Sequence, residues 1–166
     1  MSTATMETNA TAPTKAQVFR LRTPLLSKGR SHTILASSKA ETGAMNVAIK
    51  CYAEGGENEF HAHAKEDHTF IVLAGRARFY QPDEPARELG RNEGILLPAG
   101  ALYKFEVASE EPLVLLRVGN VWQPVGGEAA PAANSGRQDT QGAAFGSQAK
   151  ANKGSKGVPI PDAFYE

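Results

Sequence analysis

The most regular pattern of apolar and polar positions lies in residues 45–52, where apolar side chains stand at every second position from 45 to 51. Successive side chains of a β-strand point to opposite faces, so this alternation predicts a strand with one apolar and one polar face. Similar short runs recur along the chain, separated by Gly, Pro and Asn turn signals about every ten residues. The predicted strands are 17–21, 32–36, 45–52, 60–63, 68–74, 76–81, 94–98, 102–107 and 113–118.

Polar loops are predicted at residues 37–43 and 64–67, and Pro24 is expected to end the first strand. No segment shows a convincing helical period. Many short strands without helices predict an all-β sandwich or barrel.

The two ends of the chain differ from its centre in composition. Residues 1–15 predict a flexible tail, 16–123 the barrel, and 124–166 a low-complexity extension with an apolar end. Between 126 and 157 the composition is mainly Gly, Ala, Ser, Asn and Gln, which buries too little apolar area to offset its chain entropy. The terminus itself, V-P-I-P-D-A-F-Y-E, leaves two alternatives. It is either a loose tail, or a segment that docks Val158, Ile160, Phe164 and Tyr165 on its own barrel or on a neighbouring one.

Three of the four histidines lie close together, at His61, His63 and His68. His61 and His63 are two apart, so on a strand both rings face the same side, and His68 opens the next apolar run across a short loop. Three converging imidazoles predict a site for a divalent metal ion, and the alternative is an exposed polar hairpin. Neutral nitrogen ligands suit iron, zinc, nickel, cobalt or manganese. Because the rings must be unprotonated, the metal affinity is expected to fall as the pH drops through about 6.5.

Composition and charge narrow the classes of partner. The 166 residues suit one domain, and Lys+Arg and Asp+Glu are 18 each. A net charge of zero without a basic stripe argues against nucleic acid and acidic membrane surfaces as partners. Cys51 is the only cysteine, so no internal disulfide forms, and no apolar run reaches about 18 residues. With no secretory signal pattern at the start, the expected compartment is the cytoplasm.

The stretch from Gly55 to Gly75 resembles the first motif of the cupin family, G-x5-H-x-H-x3,4-E-x6-G. All spacings are kept, and the departure is His68 in the place of the usual glutamate. Glu66 or Asp67 is the alternative carboxylate if the loop register differs.

A second stretch resembles the family's second motif, G-x5-P-x-G-x2-H-x3-N. Pro98 and Gly100 match, Asn92 replaces the first glycine, Tyr103 stands in the place of the ligand histidine, and Val107 replaces the final asparagine. Asn tolerates the left-handed backbone of such a turn, so the change at 92 is mild.

The resemblance implies a double-stranded β-helix, or jelly-roll, barrel with a metal inside it on three histidines and a glutamate. Carried over by position, the implied metal ligands are His61, His63, His68 and Tyr103. Tyr103 either binds the metal directly or lines the pocket beside it, and it is also the candidate catalytic acid or base. The resemblance further implies a homodimer, for which the strands at 17–21 and 32–36 are the expected pairing edges.

Alternation predicts the walls of the substrate pocket: Lys50, Tyr52, Phe70, Val72 and Arg117. Phe70 and Val72 have the parity of His68, and Arg117 alternates with Leu113 and Leu115, so it is either solvated or a substrate clamp. Three neutral imidazoles would leave a divalent ion its full charge, which favours an anionic or chelating organic ligand.

Three functions are consistent with these features. The first is a metal-dependent enzyme, dioxygenase-like or an isomerase or lyase, acting on a small organic molecule. The second is a non-catalytic metal-containing module that binds or senses a small ligand. The third is a degenerate barrel retained for oligomer contacts. Cupins carry many unrelated activities, so the resemblance bears on fold more than on reaction.

Overall fold

A computed structural model describes residues 15–40, 43–56, 59–122 and 156–166. Throughout these ranges the regular secondary structure is β. The strands are β1 (Thr23–Lys28), β2 (Arg30–Ala40), β3 (Gly43–Tyr52), β4 (Glu66–Ala74), β5 (Ala77–Tyr80), β6 (Arg87–Leu89), β7 (Gly94–Leu97), β8 (Lys104–Val107), β9 (Leu113–Trp122) and β10 (Val158–Tyr165).

The strands form three antiparallel sheets. A five-stranded sheet has the order β2-β3-β9-β4-β7, a three-stranded sheet has the order β6-β5-β8, and β1 pairs with β10. The all-β jelly-roll class predicted from the sequence is confirmed. No helix in the described part of the chain is long and apolar enough to cross a membrane.

Two apolar clusters cover the two faces of the five-stranded sheet, and alternation along each strand assigns its residues to one or the other. On β9, Leu115 is inside the barrel and Val114 is outside it. The inner apolar cluster comprises Tyr52, Phe70, Val72, Ala77, Phe79, Leu97, Tyr103, Phe105, Leu113 and Leu115. The outer apolar cluster comprises Leu26, Ile49, Cys51, Ala53, Leu73 and Val114, with Tyr165 of β10 packed against it.

The prediction was wrong about the first strand, whereas the second, 32–36, lies within β2. Residues 17–21 form no strand, and β1 begins at Thr23 and contains Pro24. Proline is tolerated here because β1 belongs to a two-stranded ribbon whose register is irregular next to Pro24. The predicted loop at 37–43 is largely strand, because β2 continues to Ala40 in register with β3. Pairing thus outweighs the polar composition of this segment.

The connection before β4 also differs from the prediction. Residues 60–63 form no strand, and only an isolated bridge joins His61 to Tyr103. The predicted loop at 64–67 is shorter, because β4 begins at Glu66 instead of His68. Glu66 therefore precedes His68 by two positions on one strand, which places both side chains on the same face.

Two turns at motif positions have a left-handed backbone. Asn92 has φ 67° and Gly75 has φ 73°. A Cβ at Gly75 would lie 2.8 Å from the carbonyl oxygen of Pro112, so the chains approach too closely for a side chain. The expected tolerance of Asn92 for this conformation is confirmed.

The apolar C-terminus is anchored on its own chain. β10 pairs with β1, and the guanidinium of Arg22 lies 3.7 Å from the ring centre of Phe164 and bonds Glu166 at 2.8 Å. Of the two alternatives for this segment, the structure has the docked one. The predicted tail 1–15 and the segment 126–157 lie almost wholly outside the described residues, so the domain boundaries stay a prediction.

Candidate metal centre

Polar side chains occupy one end of the barrel interior. Glu66 and His68 project from β4, and Arg117 projects from β9 on the same inner face. Asn46 of β3 lies beside them in register with Gly119. Further along β4 and β9 the inward positions are apolar, whereas on β3 the inward Lys50 lies between the two ends.

Three of these side chains have the spacing of a metal site. Ligand atoms of His63, Glu66 and His68 all lie within 4.8 Å of one another. Oε2 of Glu66 is 3.0 Å from Nε2 of His68 and 3.7 Å from Nδ1 of His63. Ligands about 2.1 Å from a divalent ion are roughly 3 Å apart, so the donor set and its spacing fit such an ion.

His61 lies next to this triad and outside it. Its ring centre is 5.2 Å from that of His63 and 4.5 Å from that of Tyr103. Its Nδ1 is 2.8 Å from the carbonyl oxygen of Glu59, to which it donates. A backbone bond of this kind commonly orients a ligand histidine, because it leaves Nε2 as the acceptor. The role of His61 as a metal ligand stays a prediction.

Tyr103 is buried and lies behind His68. Its hydroxyl is 3.3 Å from Nδ1 of His68, on the side of the ring opposite Nε2. Burial raises the pKa of this phenol, so it stays protonated at neutral pH. The placement favours the alternative in which Tyr103 supports the site by hydrogen bonding. Direct ligation and acid–base catalysis by Tyr103 stay predictions.

Arg117 is the best-connected residue of the polar end. It is 8% exposed, and it donates to Oε1 of Glu66 at 2.6 Å and to Oδ1 of Asn46 at 2.5 Å. Its Nη2 also lies 2.5 Å from Nε2 of His68. Arg117 is therefore buried rather than solvated, and it contacts two members of the triad; its role as a substrate clamp stays a prediction.

The histidines of the site are neutral at neutral pH. Burial, with the repulsion that protonated His68 and His61 would exert, lowers the pKa of His63 to about 3. Burial also lowers the pKa of His61 and of His68. Unprotonated rings are ready to accept a metal, and the loss of affinity expected near pH 6.5 moves to lower pH.

Glu66 is ionised under the same conditions. Burial alone would raise its pKa, but the neighbouring His68 ring, the charge of Arg117 and the hydrogen bond from Asn46 outweigh burial and bring the pKa down to about 2. One full negative charge therefore lies among the three histidines.

The predicted pocket residues fall into two groups. Tyr52, Phe70 and Val72 belong to the inner apolar cluster, where they fill the barrel. Lys50 lies between this cluster and the polar end, and its Nζ donates to the Tyr52 hydroxyl at 3.2 Å. Burial, with the charges of Arg117 and Arg30, lowers the pKa of Lys50 to about 7. Their contact with a substrate stays a prediction.

Glu66 is the residue that sequence reasoning placed only as an alternative. The motif spacing favours position 68 for the carboxylate, or Asp67 in its shorter form. Asp67 instead accepts a hydrogen bond from the Ala99 amide at 2.8 Å, away from the triad. Strand alternation could have indicated Glu66, because a carboxylate two positions before His68 lies on the same face if the strand begins at or before position 66.

Gly119 makes room for the pair formed by Glu66 and Arg117. It is the register partner of His68, and a Cβ there would overlap Oε1 of Glu66 and lie 2.9 Å from Nη2 of Arg117. The absent side chain thus creates the space that the carboxylate and the guanidinium fill.

Comparisons with known proteins agree with this architecture. The family described as Cupin domain matches residues 48–119. No curated protein matches the chain.

Similar solved structures include the cupin domain of Cnp3 from Schizosaccharomyces pombe, with 12% identity, a TM-score of 0.49, and coverage of 58% of this chain and 67% of that one. KdgF from Halomonas sp. has 17% identity and a TM-score of 0.48, covering 57% and 82%. A protein with a double-stranded β-helix domain from Klebsiella pneumoniae has 16% identity and a TM-score of 0.49, covering 57% and 79%.

Proposed function

The chain belongs to the cupin superfamily, and we propose that it binds a divalent metal ion and acts on a small anionic or chelating organic molecule. The observation that carries the proposal is the convergence of His63, Glu66 and His68 within 4.8 Å at one end of the barrel. When bound, the ion supplies Lewis-acid chemistry and a template for ligand oxygens. At neutral pH His63 and His68 are neutral and Glu66 is ionised, which are the states that metal binding requires.

The charge of the site supports an anionic ligand. Unlike a site of three histidines alone, this one includes a carboxylate. Glu66 removes one unit of charge from a divalent ion, so a positive charge remains at the centre. Arg117 adds a positive group on the same inner face, and Lys50 adds a second one below its pKa of about 7. Positive charge around the centre favours a carboxylate, enolate or paired oxygen ligand.

The reaction class is the finer part of the proposal. Dioxygenase-like cleavage is the leading chemistry, with isomerisation or elimination next. In each of them Lys50 would orient an anionic group, since its amine is held by the Tyr52 hydroxyl. Phe70 and Val72 close the apolar end and exclude water from behind the site.

A specific observation favours the alternative of a module that binds its ligand without turnover. The residue in the best position for a general acid or base, Tyr103, is 3% exposed, and its pKa is raised by burial. A group whose pKa lies far above the working pH is a poor proton-transfer catalyst. Binding without chemistry is consistent with such a residue.

Metal analysis of protein purified without added metal tests the proposal. We expect about one equivalent of a transition metal in the wild type and a loss of most of it in the variant His63→Ala, His68→Ala. The matched control is His32→Ala, which removes an exposed histidine on β2. Retention of metal by the double variant, or none in the wild type even after incubation with excess ion, contradicts the proposal.

Oxygen uptake separates the enzyme from the binding module. The iron(II)-loaded protein is supplied with diketones, thiols or phenols, and uptake above that of the double variant indicates the dioxygenase-like reaction. Saturable binding of such a compound without uptake or product indicates the binding module.

We also propose that the protein is a homodimer. β2, which contains the predicted pairing edge 32–36, lies at the edge of the five-stranded sheet, where Ile34 is 61% exposed. An exposed apolar edge strand is a natural pairing site. Light scattering of the full chain tests this, and a monomeric mass contradicts it.

A further inference from the structure

Nε2 of His68 has two close polar neighbours, of which one is a hydrogen-bond donor and the other an acceptor. Nη2 of Arg117 lies 2.5 Å away, and Oε2 of Glu66 lies 3.0 Å away. A ring nitrogen offers either one lone pair or one N–H, and a guanidinium only donates. The carboxylate of Glu66 would instead require an N–H, but the contact with Arg117 is the shorter of the two by 0.5 Å, so we assign Nε2 as the acceptor. The proton of the neutral ring is then on Nδ1, facing the Tyr103 hydroxyl at 3.3 Å.

Nε2 of His68 and Oε2 of Glu66 are then two acceptors only 3.0 Å apart. Two acceptors at this distance repel each other unless a cation lies close to both. The guanidinium of Arg117 supplies that cation, because Nη2 also bonds the other oxygen of the same carboxylate at 2.6 Å. A metal ion bound to His68 would use the same lone pair, at about 2.1 Å.

We infer that the centre holds one of two cations in alternation, the guanidinium of Arg117 or a metal ion, and that a metal ion must displace Arg117 to bind. The inference rests on the proposed metal site and names what competes for it. The exclusion follows from the single lone pair of Nε2. It is strengthened because a guanidinium and a divalent ion roughly 3 Å apart repel strongly.

Neighbouring groups of the fold hold the side chain of Arg117 in its inward position. Asn46 accepts from Nη1, and the backbone of Gly119 leaves the space in which the carboxylate and guanidinium meet. The side chain of Arg117 is only 10% exposed. A buried guanidinium persists when its donors are paired, as they are here with Asn46, Glu66 and His68.

Opposite effects on two properties follow from this competition. Replacing Arg117 by an uncharged residue removes the competitor, so the metal affinity rises. The same change leaves the Glu66 carboxylate without its partner, so the metal-free protein becomes less stable. A residue with a purely structural role would lower stability and metal affinity together.

Calorimetric titration of the full-length, chelator-treated protein with CoCl₂ measures the first effect, at pH 6.0 so that the Lys50 amine of the control position is charged. We expect Arg117→Met to bind Co²⁺ about tenfold tighter than the wild type, or more. Arg117→Gln, which keeps a donor for Glu66 and Asn46, serves if the methionine variant fails to fold, and a smaller gain is expected. The charge control is Lys50→Met, which removes a nearby positive charge without freeing the lone pair. We expect it to change the affinity about threefold or less.

The outcomes separate this inference from the proposed function. If the wild type binds Co²⁺ and both Arg117 variants bind it equally or more weakly, the competition is wrong while the metal site stands. Equal tightening in Lys50→Met also overturns the competition, since general charge would explain the gain. If only the Arg117 variants bind Co²⁺, the competition is supported, and the wild type is not a metal protein. If no variant binds it, both the inference and the proposed function fail.

A second measurement reports the lone pair directly. Long-range ¹H–¹⁵N spectra of the metal-free wild type should show His68 protonated on Nδ1, with Nε2 as the acceptor. A ring protonated on Nε2 overturns the inference, because no donor could then bond there.

Discussion

The two ends of the barrel interior are built from the same strands and differ in everything else. On β4, Phe70 and Val72 fill the apolar end, whereas His68 and Glu66 stand two and four positions before Phe70, at the polar end. On β9, Leu115 is followed after one outward residue by Arg117. A single alternation therefore runs through both ends, and only the residue types change.

This difference separates the end of the barrel that stabilises the fold from the end that carries the candidate metal centre. The apolar end gains stability from buried area and close ring contacts, such as the 5.1 Å between the centres of Phe79 and Phe105. The polar end buries a carboxylate and a guanidinium, and such a pair is often no more stable than apolar residues of the same size. The polar end is thus better explained by binding than by folding.

The largest expected effect is a loss of stability on substitution in the apolar end. Phe79→Ala removes a ring that is 2% exposed, and we expect a loss of about 3–5 kcal/mol in the free energy of unfolding, measured by urea denaturation. The control Phe60→Ala removes a ring that is 40% exposed, and its cost should stay below about 1 kcal/mol. A similar loss in both variants contradicts the assignment of the core.

Acidification acts on the polar end. His63 takes up a proton near pH 6.5 when unfolded and near pH 3 when folded, so between these values the unfolded chain binds more protons. The stabilisation is complete above pH 6.5 and is lost as the pH falls toward 3, on the order of 3 kcal/mol. Glu66, with a folded pKa of about 2, adds a loss in the same direction below about pH 4.5.

Thermal melting of the metal-free protein between pH 8 and pH 4 checks this dependence. The melting temperature should fall with pH, and the variant His63→Gln should show a flatter profile. A melting temperature that stays constant or rises on acidification would show that these groups are not buried as described.

Neighbouring carboxylates on β4 sharpen the comparison further. Glu66→Gln removes the charged member of the triad, and the affinity for Zn²⁺ should fall about 10- to 100-fold. Asp67→Asn changes a carboxylate that bonds the Ala99 amide outside the triad, so it should leave the affinity nearly unchanged. Competition with a chromophoric chelator measures both. The opposite order would assign the carboxylate to the motif position next to His68.

The smallest expected effect lies where the two ends meet, at Tyr103. Tyr103→Phe removes the hydroxyl at 3.3 Å from Nδ1 of His68 and keeps the ring, so the free energy of unfolding should fall by about 1 kcal/mol. The affinity for Zn²⁺ should change less than in Glu66→Gln. A larger loss of Zn²⁺ affinity than in Glu66→Gln would show that the phenol oxygen itself is a ligand.

Much of this protein follows from local sequence patterns. Alternation in residues 45–52 predicts both faces of β3, and the motifs predict a turn at Gly75 and a turn at Asn92 in which asparagine is tolerated. These features depend on side-chain parity and backbone sterics, which act within a few residues. The three histidines identify the polar end for the same reason.

Other features depended on long-range pairing. The partner of β10 is β1, across a separation of more than a hundred residues, and no periodicity indicates it. The extension of β2 through a polar segment comes from pairing with β3. Propensity is a weak guide where a neighbouring strand supplies the hydrogen bonds.

The sequence by itself determined a β-barrel with imidazoles at one end, because alternation and turn chemistry depend on residues that are close in sequence. Only the tertiary structure decided that Glu66 joins His63 and His68, and that Arg117 contacts the same carboxylate and ring. The start of β4 and its register with β9 bring these groups together, and register is a property of paired strands that neither strand specifies alone.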